Sequence, residues 1–100
     1  MKTTVKEENQ NVVMAFEGRL DTGAAAQVKS EMQVLYDNVD RDIILDCEKL
    51  EYISSSGLRL FLALMKDAKI KGKHVILANP SEELREVFDE VGFTSLFEIR

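Results

Sequence analysis

The chain has 100 residues, 45% of them hydrophobic and 31% charged, with a net charge of −5. This length and composition predict a single soluble domain over residues 1–100, with room for one hydrophobic core. The acidic balance disfavours nucleic acid and anionic membranes as partners, because binding to phosphates relies on clustered lysine and arginine. We therefore expect a protein partner.

No segment of the sequence is typical of secretion or membrane insertion. The longest nearly apolar run, Leu60–Met65, is far shorter than a bilayer span, and residues 1–10 lack the apolar core of a signal peptide. We therefore expect a cytoplasmic protein without direct membrane insertion. The single cysteine, Cys47, has no second thiol for a disulfide or a metal site, and we interpret it as a packing residue.

The first half of the chain predicts an N-terminal hairpin, a helix and a third strand. Thr4–Glu7 is typical of an edge strand, ENQN of a turn, and VVMAFEG, from Val12, of a second strand. The continuous apolar run Ile-Ile-Leu within Asp42–Cys47 predicts a central strand. Between them, after Asp21, apolar residues recur with the helical period, which predicts an inner helix face made of Ala25, Val28, Met32, Leu35, Tyr36 and Val39.

The second half predicts two more helices with a strand between them. A helix from Gly57 to about Ile70 is apolar on more than one side, so we expect it to be largely buried, and Gly72 ends it. The segment HVILA, His74–Ala78, predicts another buried strand. The segment LFEIR predicts a closing strand or a short terminal segment.

The last helix has several start and stop signals. We predict Asn79 as its N-cap, Pro80 at its first position, and Glu82 as the second half of a capping box. Gly92 ends the helix. Its predicted inner face consists of Leu84, Val87, Phe88 and Val91.

Strands that alternate with helices pair in parallel through crossovers. The predicted fold is therefore α/β: a mixed sheet of four to five strands, with the hairpin first, and three to four helices. The loops after the second, third and fourth strands, around Asp21, Ser54–Ser56 and Asn79, should meet at one rim, where such sheets usually carry their sites.

The motifs argue against an enzyme. A serine hydrolase needs a base beside its nucleophile, and the only histidine, His74, is expected at the opposite rim from the serines. The sequence SSSG lacks the first glycine of G-x-S-x-G, and the phosphate-binding loops are absent. We therefore expect no catalytic residue, cofactor or metal. An alternative role for the serines is capping of the following helix, but capping explains one serine and not three.

The segment EGRLDTGAA, followed by YISSSGLRLFLAL, resembles the STAS domain family of bacterial anti-sigma factor antagonists, and the resemblance covers essentially the whole chain. In that family a strand ends in G-x-L-D, matched by Gly18, Leu20 and Asp21. A central strand leads into D-S-x-G-L or S-S-x-G-L, matched by the segment from Ser54 to Leu58. Where many members have aspartate first in this motif, this chain has Ser54.

The resemblance implies that Ser55 accepts a phosphate from an anti-sigma factor serine kinase and that a serine phosphatase removes it, with Ser54 and Ser56 as fallback acceptors. The unphosphorylated form would bind the kinase and free a sigma factor. The resemblance also places a group of residues near the partner or its nucleotide: Asp21, Thr22, Ser54, Ser56, Gly57 and Arg59.

Some alternatives stay open. Asp21 is either a helix N-cap or a residue that positions the kinase's nucleotide or the acceptor hydroxyl, and the two roles are compatible. Arg59 either contacts the partner or is an ordinary solvated arginine. The chain could also be a soluble STAS subunit of a membrane lipid-transport or other regulatory assembly.

Overall fold

The computed structural model describes residues 1–37 and 41–100. Within these residues, five strands form one sheet in the order β1-β2-β3-β4-β5. The strands are β1 (Lys2–Glu8), β2 (Asn11–Leu20), β3 (Ile43–Ile53), β4 (Val75–Ala78) and β5 (Glu98–Ile99). β1 is antiparallel to β2, and all other neighbours are parallel. The predicted mixed α/β sheet is confirmed.

Among the described residues, four α-helices connect the strands: α1 (Thr22–Glu31), α2 (Gln33–Asp37), α3 (Ser55–Ile70) and α4 (Glu82–Glu90). A short 3-10 helix, Phe93–Ser95, follows α4. The predicted first helix is interrupted at Met32, which caps α1, but its inner face is correct because Ala25, Val28, Met32 and Leu35 are buried. Tyr36 is partly buried against the core, and Val39 lies outside the described residues.

The hairpin between β1 and β2 closes as predicted. Glu8 pairs with Asn11, and the two residues between them, Asn9 and Gln10, both have positive φ angles, of 52° and 69°. Two-residue hairpin loops favour this backbone because its twist matches that of the flanking strands. The turn fixes the register that brings Val5 opposite Met14.

The central strand β3 is longer than the predicted Asp42–Cys47. It continues to Ile53, directly before the serines, and pairs with β2 up to Leu20. Its buried positions change spacing after Cys47, to Leu50 and then Ile53, and the register with β2 shifts in the same region. Because the buried residues of such an irregular strand do not alternate strictly, its second half does not show the period of two that predicts a strand.

All four helices contribute to one hydrophobic core on one face of the sheet. A chain of phenylalanine rings with centroid distances of 4.7–6.5 Å crosses this core from β2 through α3 and α4 to the C-terminus: Phe16, Phe61, Phe88, Phe93 and Phe97. Cys47 is fully buried, as predicted. Leu58, Leu60 and Leu62 pack against the core while partly buried, so α3 is covered on more than one side.

The start of α4 differs from the prediction. Ser81 is the N-cap, and its hydroxyl accepts a hydrogen bond from the Leu84 N–H. Asn79 instead has a φ of 57°, and its N–H donates to the Arg100 carbonyl, so it still belongs to the sheet region. The prediction of Asn79 as cap, Pro80 at the first position and Glu82 in a capping box is therefore wrong.

The helix ends follow the sequence signals more closely. Gly72 and Gly92 have φ angles of 74° and 81°, the left-handed backbone that commonly terminates helices. Leu84 and Phe88 are buried on the inner face of α4, and Val87 packs against the core. Val91 is 47% exposed because it caps the helix end, so its assignment to the inner face is wrong.

Candidate functional site

Two helices begin side by side at the carboxyl ends of β2 and β3. Leu20 and Ile53, the last residues of these strands, are register partners. The pairing continues one residue beyond the end of β3, because the Ser54 N–H donates a hydrogen bond to the Leu20 carbonyl at 2.8 Å. Asp21 and Ser54 are therefore held next to each other, as predicted from the parallel pairing, and we call this region the helix-start rim.

The third predicted member of this rim lies elsewhere. β4 has only four residues, and its last residue, Ala78, pairs with Asp46 in β3. β3 continues for seven residues beyond that level, which at about 3.3 Å per residue separates Asn79 from the serines by roughly 20 Å. The prediction that the loop at Asn79 joins Asp21 and the serines is wrong, because β4 ends too early.

Ser54 is the N-cap of α3, which therefore begins at Ser55 and not at Gly57. Its hydroxyl accepts a hydrogen bond from the Gly57 N–H at 3.2 Å, and its extended backbone, with φ −84° and ψ 170°, is typical of a cap. Ser54 is only 7% exposed, and it is the one buried polar residue in the described parts of the chain. Its hydroxyl is thus committed to the fold.

The other two serines have different environments. Ser55 is the first residue of α3 and is exposed, while Ser56 is half-buried. The Ser55 hydroxyl has no hydrogen-bond partner among the described residues. Of the three consecutive hydroxyls, that of Ser55 is the most accessible to a second protein, and its position at a helix N-terminus favours negative charge.

Gly57 allows α3 to approach the strands. A Cβ atom at this position would lie 2.8 Å from Ile53 Cγ1 and 2.8 Å from Leu20 Cγ, closer than carbon atoms in proteins can approach. Both neighbouring side chains are buried, so they have little room to move. The glycine therefore sets the distance between the first turn of α3 and the ends of β2 and β3, and with it the position of Ser55.

Asp21 is the N-cap of α1. Its Oδ1 accepts a hydrogen bond from the Ala24 N–H at 2.8 Å, and its carbonyl accepts from Ala25. The capping role is confirmed, and the carboxylate remains exposed beside the start of α3. Thr22 is exposed at the first position of α1. The roles of both residues toward a partner stay predictions.

The structure adds one feature that the sequence analysis missed. The Arg19 guanidinium lies 4.3 Å from the centroid of the Tyr52 ring, a cation–π contact between two strand residues that are register partners. Both side chains are exposed, one position before the residues that end β2 and β3. The sequence does contain a signal for this pair. Arg19 stands two positions before the cap Asp21, and Tyr52 stands two positions before the cap Ser54, so aligning the two strand ends on their caps places the pair side by side.

The single histidine of the chain lies apart from the serines. His74 precedes β4 at the opposite end of the sheet, as predicted, where its Nδ1 lies 3.5 Å from Asp42. Within residues 1–37 and 41–100, no group of histidine, cysteine or carboxylate side chains is arranged to hold a metal ion. In the same ranges, no helix is long and apolar enough to cross a membrane.

Sequence and structure comparisons agree on the relatives of this chain. An anti-sigma F factor antagonist of Lysinibacillus sphaericus is 31% identical over 84 residues, which cover 83% of this chain and 72% of that protein. BtrV of Bordetella bronchiseptica is 30% identical over 99 residues, covering 99% of this chain and 85% of BtrV.

The solved structures of SpoIIAA share the fold. The unphosphorylated anti-sigma factor antagonist SpoIIAA is 26% identical with a TM-score of 0.75, over 99% of this chain and 87% of SpoIIAA. The phosphorylated Bacillus SpoIIAA gives a TM-score of 0.74 at the same identity, over 99% and 91%. The STAS domain matches residues 2–100. The chain belongs to the STAS domain family, and the relatives that it resembles include bacterial anti-sigma factor antagonists.

Proposed function

We propose that this chain is an anti-sigma factor antagonist that performs no catalysis itself. Its unphosphorylated form binds an anti-sigma factor serine kinase, and the kinase then releases its sigma factor. The kinase transfers the γ-phosphoryl group of ATP to Ser55 Oγ, with loss of the hydroxyl proton and release of ADP. The phosphorylated form dissociates, and a serine phosphatase hydrolyses the phosphate to restore binding.

The observation that carries this proposal is the division of roles among the three serines. Ser54 is buried and caps α3, so transfer of a phosphate to it would break a cap and bury a charge. Ser55 is exposed at the first turn and has an uncommitted hydroxyl. The relatives support the same reading, because SpoIIAA, with 26% identity, has been solved in both unphosphorylated and phosphorylated forms.

The fold should tolerate a phosphate on Ser55. The group adds about 1.5 to 2 negative charges at neutral pH. At the start of α3 these charges face free backbone N–H groups and the positive end of the helix dipole, and the start of α1 lies alongside. We therefore expect phosphorylation to leave the domain structure unchanged.

The partner complex should not tolerate it. A phosphate at the docking surface must be desolvated, and it would face Asp21 and any carboxylate that the kinase brings close. Two like unit charges 4 Å apart repel by about 4 kcal/mol at an effective dielectric constant of 20. Since each 1.4 kcal/mol changes affinity tenfold, a fraction of this repulsion abolishes binding at cellular concentrations.

The direct experiment is phosphorylation in vitro by a purified anti-sigma factor kinase with ATP, followed by mass mapping of the site. The wild-type chain is compared with its Ser54→Ala, Ser55→Ala and Ser56→Ala variants. We expect only Ser55→Ala to lose the phosphate. Full incorporation into Ser55→Ala would contradict the assignment of the acceptor.

A further inference from the structure

A groove of about 410 Å³ separates α1 and α2 from α3. Its lining combines the apolar side chains of Met32, Leu60 and Ala63 with two cations, Lys29 and Arg59. Neither cation forms an ion pair with any residue in the described part of the chain. In a protein of net charge −5, two unpaired cations beside apolar side chains favour an occupant that is both apolar and acidic.

Tyr36 also lines this groove. Burial, together with the negative charge of Asp67, raises the pKa of the Tyr36 phenol. The phenol therefore stays protonated throughout the physiological range and can donate a hydrogen bond to a carboxylate. A donor and two cations beside apolar side chains match one acidic, amphipathic peptide segment. A second copy of this chain matches less well, because two whole chains of net charge −5 repel each other.

Arg59 connects the groove to the acceptor serine. It stands four residues after Ser55 on α3, and residues with this spacing are neighbours on a helix surface. Helical side chains lean toward the N-terminus, so the Arg59 side chain has the length and direction to reach the turn that carries Ser55. A phosphate on Ser55 would be within reach of the planar guanidinium, which binds phosphate through two parallel hydrogen bonds.

We propose that the groove lined by Lys29 and Arg59 docks an acidic amphipathic segment of the partner, and that a phosphate on Ser55 withdraws Arg59 from it. The inference rests on the proposed function. Phosphorylation then acts twice: it sets a negative charge at the helix-start rim, and it competes with the partner's acidic segment for one of the two cations, Arg59.

The capture of the phosphate by Arg59 can be tested without any partner. Phosphoserine is incorporated genetically at position 55 of the full chain, and the second pKa of the phosphate is measured by ³¹P NMR titration. Arg59→Ala should raise this pKa by about 0.3 unit, as expected for loss of one helical charge pair, and Arg59→Lys should raise it less. The helix starts and Asp21 also face the phosphate, but they are unchanged in all variants.

Arg85→Ala is the matched control, since Arg85 is an exposed arginine on α4 and no residue in the described ranges pairs with it. It should leave the phosphate pKa unchanged. Equal pKa values for the wild type and Arg59→Ala would overturn the capture of the phosphate by Arg59. Equal phosphate pKa values in the wild type, Arg59→Ala and Arg85→Ala would overturn it even if the kinase binds each protein normally.

Docking in the groove is tested by the affinity of the unphosphorylated chain for the anti-sigma factor serine kinase of the same organism. Lys29→Ala and Arg59→Ala should each weaken binding about three- to fivefold, more at low salt, while Arg85→Ala has no effect. Unchanged affinity in both groove variants would overturn the docking site. A dimer of the free chain that Lys29→Ala dissolves would overturn it as well, by identifying a second copy as the occupant.

Failure of the proposed function gives a different pattern. If the wild-type chain binds no anti-sigma factor kinase and receives no phosphate from one, the proposed function fails, whereas the NMR titration still decides whether Arg59 captures a phosphate at Ser55.

Discussion

The Ser54 N–H donates to the Leu20 carbonyl at 2.8 Å, and this one hydrogen bond extends the pairing of β2 and β3 into the start of α3. Because each strand is followed at once by a helix N-cap, the same bond brings the starts of α1 and α3 together. The acceptor proposed here, Ser55, stands at that point. Its location depends on main-chain geometry and on one glycine rather than on a flexible loop.

Gly57→Ala should destabilise the fold. The added methyl group would collide with Leu20 and Ile53, and overpacking of this kind costs about 1–3 kcal/mol, partly offset by the better helix propensity of alanine. Urea unfolding should show a net loss of about 1–2 kcal/mol. Gly23→Ala is the control, because its Cβ would meet only Asp21 Oδ1, at an ordinary 3.5 Å. A loss of the same size in Gly23→Ala would contradict the steric explanation.

Ser54→Ala should lower stability by about 1 kcal/mol, because the Gly57 N–H loses its cap. Ser55→Ala should change stability little, since its exposed hydroxyl has no partner among the described residues. Ser54→Asp should keep a capping oxygen, but its carboxylate would be largely buried, so its stability should lie between those of Ser54→Ala and the wild type. Thermal unfolding of the three variants tests this order, and a Ser55→Ala protein less stable than Ser54→Ala would refute it.

Asp21 allows its two roles to be separated. Asp21→Ala should lose the α1 cap and about 1 kcal/mol of stability, while Asp21→Asn keeps a capping oxygen and loses only the charge. If the carboxylate acts on the partner, Asp21→Asn should be phosphorylated at a different rate while its unfolding midpoint is unchanged. Identical phosphorylation rates for Asp21→Asn and the wild type would contradict a role of the carboxylate toward the partner and leave Asp21 only its role as the N-cap of α1.

Cys47 should be unreactive in the native protein. Burial, with a smaller contribution from Asp46, raises the pKa of its thiol to about 12. At pH 8 only about one molecule in ten thousand carries the reactive thiolate. A chromogenic disulfide reagent should therefore label the native chain only as fast as it unfolds, and denatured chain at once. Rapid labelling under native conditions would contradict the buried position.

The same shift predicts a pH dependence of stability. The folded-state pKa of Cys47 lies above the ordinary thiol value of 9.0, so the folded state holds the proton more tightly. Its contribution to stability is complete below pH 9 and is lost as the pH rises toward 12. The free energy of unfolding should therefore fall less steeply above pH 9 in Cys47→Ala than in the wild type. Equal slopes of the free energy of unfolding against pH in the two proteins would contradict the raised pKa of Cys47.

Much of the fold was predictable because its signals are local. The helical period after Asp21 identified the buried face of α1 and α2, and the serine–glycine pattern marked the start of α3 to within two residues. The adjacency of Asp21 and Ser54 followed from parallel pairing alone. These features depend on periodicity and helix caps, which the sequence displays directly.

What could not be predicted depends on tertiary geometry. β4 stops opposite Asp46, and no residue pattern indicates that β3 extends so far beyond it. Asn79 and Ser81 are both acceptable caps two positions apart, and the sheet contact of Asn79 with Arg100 decided between them. The groove beside Arg59 needed the packing of three helices, which no single segment encodes.

The most direct test of the account is the affinity of the unphosphorylated and the Ser55-phosphorylated chain for the anti-sigma factor kinase, measured by calorimetry at one salt concentration. Circular dichroism confirms that both forms are equally folded. We predict that phosphorylation weakens binding by at least about tenfold, the effect of 1.4 kcal/mol. Equal affinities of the two folded forms would contradict the proposal that Ser55 is the switch.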